Sequence, residues 1–438
     1  MVKASDRSQV PSDRNSEHVV HLVWPGHLTE RVALTATGKS GGAGEIFFID
    51  GRPGFVAKIY HAATTQAHLD KYRRKIEWMI AHRPTLPPVP ETYQDIVQLA
   101  WPEALVLRES RFAGFAMRKI DFHRTLELDY LLNRRQATEE GFDADYGKLV
   151  TVSFNLASII NCLHDERIAI VDLKPMNVKV YKEELFVSIL DCDGFHIAAG
   201  DYRSDAPQVT PEYLAPEFQG AAVAQPETQD SFALATIIFR LMNYGIHPYS
   251  GVASGSDGHP AELAGRIQQR LYPYGKLAHR SVRQVPASVH EALPDDLRDL
   301  FDRAFTSSGP GRPSPHEWVA TLAGYATRES GRMSPCGNGH LRFAGRPCAQ
   351  CMRDALIHGA EVRRRSFLAR VQTAPARTLR YVQKTLRHTH TSPFQAALAQ
   401  AQYALVNLAP PAPISTRNAI ALEILWISGL LITYWWTR

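Results

Sequence analysis

Strand-like alternation marks the front of the chain, and helical periodicity marks the back. A polar, Ser/Asp/Arg-rich stretch up to about residue 17 reads as a disordered lead-in, and VVHLVW and RVALT follow as short β-rich runs. EIFFI (45 to 49) and FVAKIY (55 to 60) flank DGRPG, whose Asp, Gly and Pro predict a turn, so the pair is expected to form a β-hairpin. HLDKYRRKIEWMI (68 to 80) sets Leu69, Tyr72, Ile76 and Ile80 on one helical face. A second helix is expected from about 146 to 164, where Leu149, Val152, Leu156, Ile159 and Leu163 recur at spacings of three and four. From roughly 230 to 326 helical patterns dominate, broken by the loop GVASGSDG (251 to 258). The pattern predicts an α+β chain with a β-rich front and a helical back.

Composition narrows the class. With 438 residues and 45% hydrophobic content the chain has room for two or three domains, and it is neither a collagen, a coiled coil nor wholly disordered. The net charge is +5, but residues 352 to 391 hold nine Lys/Arg against two Asp/Glu, so the basicity is local. Five cysteines, at 162, 192, 336, 348 and 351, are too few and too clustered for a disulfide scaffold; they predict a reducing compartment and a local metal site. The first 17 residues carry no apolar run, so no N-terminal signal peptide or anchor is expected.

Four features carry chemistry. TGKSGGAGEIFF (37 to 48) is a glycine cluster feeding a strand, which lets backbone N–H groups approach phosphate oxygens without Cβ obstruction. Lys58 lies on the following strand and Glu77 on the next helix; a lysine held by a carboxylate presents a protonated ammonium to nucleotide phosphates. In VDLKPMN (171 to 177), Asp172 is placed to accept a hydroxyl proton, Lys174 to neutralise a transferring phosphoryl group and Asn177 to hold a metal ion. Asp191, 14 residues beyond Asn177 in ILDCDGF, offers a second oxygen ligand of the kind that suits Mg²⁺, with Asp193 as the alternative.

In this order the motifs resemble the eukaryotic-like protein kinase family, in a divergent bacterial Ser/Thr branch, collinearly from about residue 28 to 327. The resemblance implies a bilobal protein-kinase-like fold that binds ATP and Mg²⁺ and phosphorylates protein substrates. It puts Gly41 and Gly44 in the Gly-rich loop, pairs Lys58 with Glu77, makes Met117 the gatekeeper, and assigns catalysis to Asp172 and Lys174 and metal binding to Asn177 and Asp191. TPEYLAPE (210 to 217) looks like the end of an activation segment, Asp230 like the buried aspartate of the next long helix, and Arg312 like the partner of Glu217. The sequence departs from the family where Ile170 and Val171 replace His-Arg, where Lys39 stands for the first glycine, and where Asp191-Cys192-Asp193 replaces Asp-Phe-Gly. Those departures keep a second function open, a pseudokinase scaffold or nucleotide-binding interaction protein.

Beyond residue 330 the composition changes. Cys336, His340, Cys348 and Cys351 form a set whose thiolates and imidazole suit tetrahedral Zn²⁺, and a segment this short needs such a staple. Residues 419 to 436 carry only Glu423 as a charge and reach about 27 Å as a helix, which predicts a transmembrane anchor. The expected organisation is a lead-in (1 to 27), a kinase domain (28 to 327), a zinc-ribbon-like module (333 to 355), a basic linker (356 to 417) and a membrane helix (418 to 436). It implies a C-terminal anchor in a bacterial inner membrane with the kinase domain in the cytoplasm. Nucleic acid is a less favoured partner, since aromatic residues are not interleaved with the cysteines.

Overall fold

The computed structural model describes residues 18–206, 209–254, 260, 262–276 and 281–372. The chain divides into two compact units, the first made of Met1–Leu128 and Ser158–Val209, the second of Asp129–Ala157 and Thr210–Arg438.

The first unit is built on a closed barrel of six strands: β1 (His18–Val23), β2 (Thr29–Ser40), β3 (Gly44–Ile49), β4 (Phe55–Tyr60), β5 (Pro102–Arg108) and β6 (Arg111–Arg118), in the order β1-β2-β3-β4-β6-β5. The expected hairpin is present, with Ile46 opposite Lys58, and Gly51 takes a positive φ in its turn. Every second residue points inward, so Val20, Leu22, Val32, Leu34, Phe47, Ile49, Ala57, Ile59, Ala104, Val106 and Ala116 form one core. Three alanines among bulky residues fit the narrow lumen of a six-stranded barrel. Helix α1 (Gln66–Ala81) packs across β5 and β6, and the Trp101 indole N–H donates to Met79 O at 2.8 Å.

This barrel corrects the expected bilobal protein-kinase-like fold. The strand-like run VVHLVW of the lead-in falls largely in β1 (His18–Val23), which pairs antiparallel with both β2 and β5. That double pairing closes the sheet and removes its edges, giving a barrel in a mixed α/β chain.

The second unit is helical. Helices Pro226–Met242, Asp295–Thr306 and Pro315–Ala326 bury Phe232, Phe239, Phe301, Phe305 and Trp318. Ser314 and Glu317 form a reciprocal capping box at the start of the third helix. A hairpin of Met333–Pro335 with Leu341–Phe343 follows, then a helix Ala349–Gln372 that runs into the stretch expected to be a basic linker.

The membrane anchor is also corrected. No helix among the described residues is long and apolar enough to cross a membrane. The longest, Ala349–Gln372, carries Arg353, Asp354, Glu361 and arginines at 363 to 365, charges that a bilayer core excludes. Residues 419 to 436 lie outside the described residues. The expected inner-membrane location and membrane partner thus have no spanning helix among the described residues to support them.

Candidate active site

Lys58 sits on β4 between Ala57 and Ile59, whose side chains enter the barrel core, so its own side chain leaves on the opposite face. Strand β6 closes tightly here, because a Cβ on Gly114 would lie 1.9 Å from Lys58 O. Only glycine permits that approach. The ammonium is buried and lies 2.8 and 3.0 Å from the two carboxylate oxygens of Asp193, and 3.2 Å from Asp191 Oδ1. Tyr60, two residues on and facing the same way, donates its hydroxyl to Asp193 Oδ2 at 3.1 Å. Desolvation opposes the charge on Lys58, but the Asp193 and Asp191 carboxylates outweigh it and hold its pKa above the ordinary value.

Glu77 is not brought to Lys58. It pairs with Arg73 at 2.8 Å on the exposed side of α1. The helix buries Lys75, Ile76 and Met79, a face turned from the expected Leu69, Tyr72, Ile76, Ile80 stripe, and this turns position 77 outward. Lys75 points in and donates to the Phe195 carbonyl. Desolvation lowers its pKa to about 8 although Asp193 pulls the other way.

The residues of the 171–177 loop come together. Lys174 Nζ lies 2.7 Å from Asp172 Oδ2, and Asn177 Nδ2 donates to Asp172 O at 3.3 Å. Val171, a β-branched residue, is held at φ +66°, an unfavourable conformation for its side chain that sets the entry into Asp172. The strands Val178–Tyr181 and Val187–Ile189 pair behind the loop, and Leu190 N donates to Asn177 O at 2.8 Å. That pairing brings Asn177 and Asp191 to the same end of one hairpin. Asp191, at φ +53°, leaves 63% of its side chain exposed, whereas Asp193 is 7% exposed.

The glycine cluster forms the turn between β2 and β3, closed by Gly41 N donating to Gly44 O at 2.8 Å. A Cβ on Gly44 would lie 2.3 Å from Ile59 O, so this glycine is required by the packing of β3 on β4. Lys39 stands 3.6 Å from the centroid of the Phe122 ring. Met117 lies at the end of β6, half-buried, opposite Val56 and Pro102.

In the second unit Arg312, almost fully buried, donates to both oxygens of Glu217, at 2.7 Å for Nη2 to Oε2. Burial works against the Glu217 charge, and the guanidinium outweighs it and lowers the pKa. Asp230 is fully buried in its helix. Cys336, His340, Cys348 and Cys351 converge with all four ligand atoms within 4.8 Å of one another. The Cys336 and Cys351 sulfurs are 3.8 Å apart, and His340 Nδ1 is 3.3 Å from Cys351 Sγ and 3.8 Å from Cys348 Sγ. Bond lengths of about 2.3 Å for Zn–S and about 2.0 Å for Zn–N at tetrahedral angles give edges of this size, so the donor set fits zinc.

The residues that sequence reasoning missed are Tyr60, Lys75 and Gly114, with Asp193 considered only as a metal ligand. Their signals were position-dependent: a tyrosine two residues after Lys58, a lysine on an apolar helix face, and a glycine inside a strand.

No protein-family model matches the chain. The curated proteins it resembles include bacterial proteins named as protein kinases. Protein kinase YegI of Escherichia coli (strain K12) is 29% identical over 308 residues, covering 67% of this chain and 45% of that one. The protein of the same name from Escherichia coli O157:H7 is 28% identical over 292 residues, 64% of this chain and 43% of that one. The chain thus spans less than half the length of these relatives. A shorter likeness, 28% over 138 residues, is to an aspartate–tRNA(Asp/Asn) ligase of Brucella ovis, covering 31% of this chain and 21% of that one.

Proposed function

We propose that this chain is an ATP-dependent serine/threonine protein kinase. The observation that supports the reading is that one unit holds both the buried Lys58, paired with the 191–193 carboxylates, and the Asp172–Lys174 pair with Asn177, whose carbonyl accepts from Leu190 beside Asp191. The similarity to protein kinase YegI supports phosphoryl transfer in general; the Lys174-Pro175 pair resembles the serine/threonine rather than the tyrosine type of the kinase family, which favours Ser/Thr hydroxyls as acceptors. Lys58 contacts nucleotide phosphates, with the Gly41 turn beside them and Met117 at the adenine end. Asp172 accepts the hydroxyl proton of the acceptor, and Lys174 balances charge on the phosphoryl group in flight. Asn177 and Asp191 supply the oxygen donors for Mg²⁺, which neutralises phosphate charge when bound.

The Cys336, His340, Cys348 and Cys351 cluster is proposed to hold structural Zn²⁺. Burial opposes ionisation of Cys336, but hydrogen bonds from the Asn338 N–H and the neighbouring thiols outweigh it and lower its pKa to about 6, which favours the ligating thiolate.

One observation favours a scaffold instead: Glu77 is engaged with Arg73, so the ion pair that the family resemblance implies for Lys58 is missing. Incubating the full chain with ATP and Mg²⁺ and mapping phosphosites by mass spectrometry separates the two. Phosphoserine or phosphothreonine formed by the wild type and absent from Lys58→Met and Asp172→Ala supports the kinase. Nucleotide binding without any phosphosite supports the scaffold.

A further inference from the structure

We infer that Asp193, steadied by Tyr60, is the carboxylate that anchors Lys58, a positioning role that leaves Asp191, with Asn177, as the metal-facing side chains. The inference rests on the kinase reading for its functional meaning.

Four observations converge on it. Asp193 meets Lys58 through both oxygens at 2.8 and 3.0 Å, while Asp191 offers one oxygen at 3.2 Å. Asp193 is almost fully buried and Asp191 is mostly exposed, so the two carboxylates are placed for different tasks: one inside against the lysine, one outward toward a ligand. A buried carboxylate whose oxygens are occupied by an ammonium and a phenol has little room left for a hydrated cation, and Mg²⁺ parts reluctantly with its waters. The usual helix carboxylate, Glu77, is turned outward and occupied by Arg73.

The remaining contacts explain how α1 is still coupled to the site. Tyr60 stacks on Tyr72 of α1, centroids 4.6 Å apart at 16°. Lys75 of α1 donates to the Phe195 carbonyl, two residues beyond Asp193. The helix is therefore tied to the 191–195 segment by a ring stack and a lysine–carbonyl bond, with the charge pair supplied from the segment itself. Cys192 between the two aspartates is buried, and the flanking carboxylates both reach the Lys58 ammonium, Asp193 more closely.

Two measurements on the full chain test this. In thermal melts without nucleotide, Lys58→Met strands the buried Asp193 charge, so Lys58→Met/Asp193→Asn is expected to melt higher than Lys58→Met alone. Losses for Lys58→Met and Glu77→Gln should simply add. Titration with ATP is then run in EDTA and again in Mg²⁺. Asp193→Asn should weaken ATP about tenfold or more in both, the size of a lost charge-assisted bond. Asp191→Asn should remove only the gain that Mg²⁺ gives, and Glu77→Gln should stay within about twofold, as for an exposed pair. Tyr60→Phe, which keeps the buried ring, should weaken ATP about threefold in both conditions, and it carries the binding test if Asp193→Asn fails to fold. Additive melting losses for Lys58 and Asp193, or a loss in Asp193→Asn or Tyr60→Phe confined to Mg²⁺, would overturn the assignment, as would unchanged affinity in both. A wild-type chain that binds no ATP defeats the kinase reading, while the melts still decide whether Asp193 anchors Lys58.

Discussion

Phe343 of the Cys/His hairpin meets Tyr146 edge-on, ring centroids 5.5 Å apart at 89°, and meets Tyr325 in the same way at 5.1 Å and 87°. Phe343 is 2% exposed, and the Tyr146 hydroxyl donates to Met242 O in the core of the second unit. The Cys/His hairpin is thus packed into the helical unit, where Arg346 also donates to Glu291 O and Arg353 to Ala287 O.

The first prediction follows from that packing. Purified protein should carry one zinc per chain, and Cys348→Ser or stripping by a chelator should release it and lower the melting temperature of the whole second unit, beyond a local fraying of 333 to 355. Phe343→Ala should cost about 3 kcal/mol while zinc is retained. Elemental analysis and calorimetry check both; zinc-free protein with an unchanged melting temperature would refute the assignment.

Much of this was legible from the sequence, and the parts that were not share a cause. Strand alternation and turn residues identified the β3–β4 hairpin, and Leu149 to Leu163 marked the long helix that is observed as Tyr146–Asp165. The Cys336 to Cys351 set was recognisable by its residue types and its Cys-x2-Cys pair, and the four side chains do converge. Barrel closure was not legible, because whether VVHLVW stays single or pairs twice depends on where β5 ends up in space. The partner of Lys58 was misplaced for a similar reason. A small rotation of α1 exchanges Lys75 for Glu77 at the buried edge, and a period of 3.6 read over four turns does not resolve it. The aspartate that does hold Lys58 lies 135 residues away, beyond the reach of local patterning.

Arg312 and Glu217 give the second prediction. The guanidinium is 1% exposed, donates to both carboxylate oxygens and to Ala304 O, and stands 5.2 Å from the Phe232 ring. Glu217→Gln leaves that cation without a counter-charge and should cost about 3 kcal/mol in denaturant melts. Glu217→Gln combined with Arg312→Met should recover part of the loss, since the desolvated charge is then gone. A Glu217→Gln protein as stable as the wild type would show that the pair is replaceable by solvent.

A third prediction concerns acid. His247 Nδ1 accepts from Tyr249 N–H at 3.2 Å and Nε2 lies 3.0 Å from Glu212 O, an arrangement that fits the neutral ring. Burial, helped by Arg240, lowers its pKa to about 3, and burial with Arg298 does the same for His290. In the unfolded chain histidine titrates near about 6.5, so between roughly pH 6.5 and 3 the unfolded state binds the extra protons. Stability contributed by the neutral rings is full above that window and is lost as pH falls through it, by up to about 1.4 kcal/mol per pH unit for each histidine. Melting temperature should therefore drop steadily from pH 7 to 5. His290 packs among Phe239, Tyr274 and Phe301, so His290→Phe should flatten the slope. An unchanged slope in that variant would mean that other groups control the acid transition.

The last prediction separates binding from chemistry at the Asp172 loop. Asp172 lies beside Lys174 at 2.7 Å, with its carboxylate 16% exposed and its entry fixed by the left-handed Val171. If Asp172 takes the hydroxyl proton, Asp172→Asn removes the base while keeping the side chain's size, and it should reduce phosphoryl transfer at least about a hundredfold with ATP affinity little changed. Lys174→Ala should also slow transfer more than it weakens ATP, because its charge matters most as the phosphoryl group moves. Val171→Gly relieves the strained φ but empties a buried side-chain site and loosens the loop, so it should lower stability and also lower the rate, by spoiling the orientation of Asp172. Single-turnover rates beside equilibrium ATP binding distinguish these outcomes. If Asp172→Asn lost affinity and rate in equal proportion, Asp172 would be contributing to binding of nucleotide, and the base would have to be sought elsewhere.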